Sequence, residues 1–115
     1  MAEGYINVDV PETKPVTLAT GFDKVSWGYV QAIKLGHLIL VNGSGIYSTT
    51  AVSSLIEFGT ISGITLTFTT TGFVKLPDGT MTSLQLHAGS TNKMRISAGI
   101  PANTNFDFSV VGFCN

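Results

Sequence analysis

The chain has 115 residues and a mass of 12.1 kDa, enough for one domain with a sheet-on-sheet core and too few for two. Six basic residues against seven acidic ones leave a net charge of −1, which excludes recognition of a polyanion through a basic patch. Charged residues make up only 11% of the chain and mean hydropathy is +0.34, yet no apolar run approaches the roughly 18–20 residues of a membrane-spanning helix, so neither nucleic-acid binding nor membrane insertion is expected.

Ordinary soluble domains carry about 25% charged residues. This chain fills its polar positions with Thr, Ser, Gly and Asn instead. Few charges then keep copies apart, which predicts a chain that self-associates or is displayed on a larger assembly. The plainer alternative is an uncharged β-protein surface. The opening residues, MAEGYINVDV, lack a basic stretch followed by an apolar one, so no secretory signal is read. Cys114 stands alone; without an internal disulfide the fold needs no oxidising compartment, which suits assembly in a cytoplasm.

In chain order, residues 5–10 (YINVDV) alternate as a strand and residues 12–15 (ETKP) read as a linker. This divides the chain into an N-terminal arm over residues 1–15 and a β-sandwich body over 16–115. A further possibility is that residues 5–10 form an edge strand swapped onto a neighbour. Strands follow at 16–19, 27–34, 37–42, 54–58, 64–70, 81–87, 93–98 and 105–113, separated by Gly, Pro and Asn every eight to twelve residues or so. Period-2 alternation rich in Val, Ile, Thr and Phe, with no convincing helix, predicts an all-β antiparallel sandwich or barrel of eight to nine strands.

The hairpin WGYVQAIKLGHLILVNGSG, residues 27–45, turns at Gly36, where a short loop requires positive φ. Its second strand, HLILV, is apolar on both faces and is expected at the centre of the sheet. Asn42-Gly43 reads as the turn that ends it. TLTFTTTG is expected as a half-buried strand with Leu66 and Phe68 on one face. LPDGT, with Pro77 and Gly79, predicts a tight turn, and NFDFSVVGF predicts the closing strand.

For chemistry the signals are sparse. No GxSxG elbow and no metal-ligand spacing around His37 or His87 is present, so no catalytic residue, metal or cofactor is expected and the chain is read as a non-enzyme. His37 reads as a turn residue and Cys114 as a small apolar residue closing the last strand. Saccharide sites combine an aromatic platform with a few short polar groups. Trp27 is either such a platform or core, and Tyr47 is balanced between the same roles. Asp23, Asn92, Asn103 and Asn105 fall in predicted loops. Arg95 lies on the polar side of KMRIS, as a saccharide or phosphate contact or as an inter-subunit or solvated charge. The candidate ligand set is Asp23, Trp27, Tyr47, Asn92, Arg95 and Asn103.

VTLATGF, an aromatic strand, QAIKLGHLILVNGSG and the closing SVVGFCN together resemble the C-terminal head domains of bacteriophage tail-fibre and baseplate receptor-binding proteins. Lys34, Gly36, Leu38, Leu40 and Gly43 fall on the strand-turn-strand pattern of those heads, with His37 at the usual Asn position; QAIK departs from it where a charged or aromatic residue ordinarily precedes the lysine. The resemblance runs loosely from about Val16 to the C-terminus, and its motifs are structural, so no binding residue is carried over. It implies a jelly-roll-like β-sandwich head that forms a homotrimer, assembles with other virion and tail proteins in the host cytoplasm, and binds host cell-surface saccharide. The central hairpin would then bury one face in its own sandwich and the other near the trimer axis. The alternatives are a structural virion component (a capsid decoration protein or fibre cap), a cellular trimeric sandwich, or a stand-alone carbohydrate-binding module.

Overall fold

The structure is a computed structural model, described here for residues 10–89, 92–97 and 99–115. The expected strand over 5–10 therefore lies outside the described residues, apart from an exposed Val10. The rest is all-β, as expected, with nine strands: β1 (Glu12–Lys14), β2 (Val16–Leu18), β3 (Phe22–Leu35), β4 (Leu38–Ser48), β5 (Ile56–Ile61), β6 (Thr70–Lys75), β7 (Met81–His87), β8 (Lys93–Ile96) and β9 (Thr104–Phe113). All pairings are antiparallel, in the order β1-β3-β4-β9-β6-β7-β8-β5-β2. The sheet rolls into a barrel-like sandwich that brings β2 beside β3.

The core follows from the alternation. Ile39, Val41 and Ile46 of β4 and Phe106, Phe108 and Val110 of β9 point inward with Phe58, Leu84, Leu86, Met94 and Ile96. At one end Phe22, Phe58, Phe106 and Phe108 pack at centroid distances of 5.2–6.4 Å. Most of these contacts are edge to face, the arrangement the ring quadrupole favours. β4 is central, between β3 and β9, which is where an apolar-both-faces strand belongs.

Two of the three predicted turns form as read. Leu35 and Leu38 pair across the β3–β4 turn, and Gly36 takes φ +62°. His37 sits in that turn, its Nδ1 3.1 Å from the Cys114 carbonyl, while the Cys114 N–H donates to the His37 carbonyl at 2.8 Å. At Pro77–Gly79 the Leu76 N–H donates to Thr80 at 2.8 Å. The Asp78 carboxylate accepts the Thr80 N–H at 2.9 Å, and that bond holds its pKa below the ordinary value.

Three expectations are corrected. Residues 12–14 are not a linker: Glu12 pairs with Lys34 and Lys14 with Ala32, so the segment is an edge strand. Asn42-Gly43 does not end β4, which runs on to Ser48. A Cβ on Gly43 would lie 2.5 Å from Phe108 Cε1 and 3.0 Å from the Tyr29 carbonyl. The glycine is there so that a core ring can lie against the backbone, a use of strand glycine distinct from a turn. Finally, the strand expected at 64–70 begins at Thr70 and runs to Lys75. A Cβ on Gly72 would run into the Ser109 carbonyl and the Val110 side chain, so β6 lies close against β9 through a glycine just beyond the expected strand. Leu66 keeps only an isolated bridge to Cys114.

Candidate functional site

Where β3, β4 and β9 cross their middle, the register breaks twice at one level. Between Lys24 and Tyr29, β3 carries four residues against Gly45 alone on β4. Between Gly43 and Ile46, β4 carries Ser44 and Gly45 against Asp107 of β9. Bulges re-aim side chains and leave backbone groups unpaired, and they recur beside functional sites. Here they throw Trp27 outward.

Two glycines make this arrangement possible. A Cβ on Gly28 would lie 2.6 Å from the Gly45 carbonyl and 2.9 Å from that of Ser44, so only a bare backbone lets the bulge close on β4. Gly45 has φ +65°, and a Cβ there would lie 2.7 Å from Trp27 Cζ3. The indole edge therefore rests against the unsubstituted Gly45 α-carbon. Trp27 is 63% exposed, which removes the core reading of the one tryptophan. Among the described residues its indole N–H has no partner.

Asp107 anchors the other side. Its Oδ1 accepts the Ser44 hydroxyl at 2.7 Å and the Gly45 N–H at 3.2 Å, satisfying the donor that the bulge orphaned. Among the described residues its second oxygen has no donor. Trp27, Lys75, Pro77, Asn105 and Asp107 line a cleft of about 330 Å³, at the lower end of the size range of small-molecule sites. Beside it, Asp23, Tyr47 and Asn105 are directly opposite one another on β3, β4 and β9, so their side chains share the outer face. The Tyr47 hydroxyl donates to Asn103 Oδ1 at 3.0 Å, and Asn103 takes φ +56° at the turn into β9. The cleft thus offers an aromatic face, a cation, a carboxylate oxygen and amides, a set able to stack against and hydrogen-bond a polyhydroxylated ligand.

Four of the six residues expected at a site, Asp23, Trp27, Tyr47 and Asn103, gather on or beside this surface. Asn92 does not. It is buried, its Oδ1 accepts the Leu66 N–H at 3.2 Å, and its Nδ2 donates to the Ile64 carbonyl at 2.7 Å and the Ile61 carbonyl at 3.3 Å. Its amide is a strut for the 61–66 segment, with nothing left for a ligand. Arg95 lies on β8, separated from β9 by β6 and β7, and pairs with Glu57 at 3.2 Å. Lys75, Pro77 and Asp107 stood outside the candidate ligand set. Asp107 does stand on the polar phase of NFDFSVVGF, but nothing in the sequence shows that two bulges converge on it.

A second surface lies on the outer face of β3, β4 and β9 and beside it, at Phe68 and at Phe73 of β6. Leu35, Leu38, Leu40, Phe68, Phe73, Val111 and Phe113 are each 38–63% exposed. Six of them join: Leu38 faces Leu35 and Phe113, Leu40 faces Val111, and Phe68 packs edge-on against Phe113 at 6.0 Å, while Phe73 pairs with Ser109 of β9. At the scale of large apolar side chains this leaves roughly 600 Å² of apolar surface, at the top of what monomers show and close to one partner's share of a stable interface.

Among the described residues no group of three or more His, Cys, Asp or Glu is placed to hold a metal ion. No family model, curated protein or solved structure matches the chain.

Proposed function

We propose that this chain is a non-enzymatic receptor-binding head of a bacteriophage tail-fibre or baseplate protein, which recognises host-surface saccharide as a homotrimer. The observation that carries the reading is Trp27. A lone tryptophan in a small sandwich is expected in the core, yet here it is turned out over Gly45 beside Asp107, Asn105 and Lys75. A protein that exposes its largest apolar ring on a glycine-built shelf, flanked by fixed polar groups, is organised for a ligand with an apolar face and many hydroxyls, such as a sugar.

The apolar outer face supports the multi-copy part. Covered by neighbouring copies, it removes from water the surface that the low charge leaves unprotected. Several equivalent clefts on one assembly would raise weak single-site binding through effective concentration.

The test is an array of bacterial surface saccharides probed with the intact protein, with mass measured by light scattering on the same sample. The reading expects binding to a restricted set of saccharides and a mass near three times the 12.1 kDa chain. A silent array with a trimeric mass would overturn receptor recognition in favour of a structural virion component. Binding by a clean monomer would favour a carbohydrate-binding module.

A further inference from the structure

The apolar surface on β3, β4 and β9 sits at one end of the sheet. Leu35 and Leu38 flank the Gly36–His37 turn that joins β3 to β4, so the face cannot extend past them. On the β3 side lies β1 with the Glu12–Lys14 ion pair at 2.9 Å, and charged groups are depleted at interface centres. Along the strands, the direction left open is toward the Trp27 cleft.

Area makes that direction matter. The apolar side chains supply roughly 600 Å², whereas a stable interface takes about 800 Å² from each partner. The shortfall falls on the next cross-strand row, where Gln31 faces Asn42, Asn42 faces Ser109 and Ser109 faces Phe73. This row suits contact with a second copy. Phe73 is 51% exposed, and the side chains of Gln31, Asn42 and Ser109 have no hydrogen-bond partner among the described residues. A hollow of about 160 Å³, with Leu40 and Val111 on one side and Asn42 and Ser109 on the other, gives an incoming side chain a place to seat.

The cleft begins one step further on. Along β6, Lys75 follows Phe73 by two residues, and along β9, Asp107 precedes Ser109 by two, about 7 Å in each case. Residues two apart share a face of the sheet, and Lys75 and Asp107 both line the cleft with Trp27. A copy in contact with Phe73 and Ser109 therefore stands at the edge of the cleft.

We propose that a second copy of this chain, seated on the apolar surface, closes the side of the Trp27 cleft next to Phe73 and Ser109, so that the saccharide site is complete only between copies. Built on the saccharide and multi-copy readings above, this arrangement links binding to assembly. A ligand held between copies favours the assembled state by the same factor by which assembly raises its affinity. The charged fraction of 11% leaves little repulsion to oppose the contact.

Trp27 is the single tryptophan, so acrylamide quenching of its fluorescence tests the closure without a saccharide. The intact protein is measured where light scattering gives a multi-copy mass, again on dilution, and against Leu40→Lys, with folding followed by circular dichroism. The quenching constant is expected to be at least twofold lower in the assembly than in the single chain. Equal constants in the two overturn the proposal, as does intact protein that scatters as a 12.1 kDa chain at every concentration. Phe73→Lys, at an exposed position outside the cleft lining, is expected to dissociate the assembly and decides the matter even where Leu40→Lys fails to fold. An unchanged mass in Phe73→Lys places the edge of the interface short of the cleft and overturns the proposal. Calorimetry, which reads single sites, separates the closure from the saccharide reading. A saccharide that binds single-chain Leu40→Lys as tightly as the intact assembly refutes the closure and leaves the cleft reading standing. A silent array with halved quenching refutes the saccharide and leaves the closure.

Discussion

Gly45→Ala is the substitution whose effect the site geometry predicts in most detail. The residue has φ +65°, where a Cβ costs about 1–2 kcal/mol. The new methyl would also lie 2.7 Å from both Trp27 Cζ3 and Val25 Cγ2. Carbon atoms rest at about 3.5–4.0 Å, so one side must yield by about 1 Å. β4 is held on both sides by ladders to β3 and β9, whereas the indole is 63% exposed. The ring therefore gives way and swings off its shelf, the half-buried Val25 shifts its methyl, and the φ strain is left as the main stability cost. For a domain near 100 residues that cost lowers Tm by about 4–8 °C. Because the chain has a single tryptophan, its fluorescence reports the ring directly. The variant should melt lower by that amount, emit further to the red, and lose saccharide binding. Unaltered emission together with an unaltered Tm would refute the claim that Gly45 seats the ring.

Other substitutions separate the cleft from the scaffold. Asp107→Asn keeps one carbonyl oxygen for Ser44 and Gly45, so thermal melting should change by less than about 1 kcal/mol while calorimetry shows weakened saccharide binding. Asn92→Ala removes three hydrogen bonds from a buried site; stability measured in urea should fall by about 2–4 kcal/mol, with binding per folded molecule intact. Leu40→Lys places a charge in the exposed apolar face. Light scattering should then give the mass of a single 12.1 kDa chain, with the fold retained in circular dichroism.

The barrel's existence was legible because period-2 alternation records burial directly, as in HLILV and NFDFSVVGF. The errors concentrate at glycine. Gly43 was read as part of a turn and Gly72 fell outside the expected 64–70 strand, yet both lie inside strands where Phe108 and the β9 backbone approach too closely for a side chain. Sequence shows that a glycine is present; it does not say whether φ or a neighbour requires it. Glu12–Lys14 looked like a linker because a three-residue edge strand is too short to alternate. The polar residues split for a related reason. Trp27, Tyr47, Asp23 and Asn103 were picked as an aromatic platform with short polar groups, and adjacent strands bring them together. Asn92 has the same composition signal, but its amide serves backbone groups 26 to 31 residues away, a pairing that no local pattern announces. Asp107 stayed outside the candidate ligand set because its importance depends on bulges in two other pairings.

The most direct test compares the intact protein with Trp27→Ala in calorimetric titration against a saccharide selected on the array. The ring is mostly outside the core, so its removal should cost no more than about 2 kcal/mol, against the 3–5 kcal/mol of a buried aromatic. The account predicts that binding is abolished while the variant stays folded and keeps its oligomeric mass. Unchanged saccharide affinity in Trp27→Ala would contradict it.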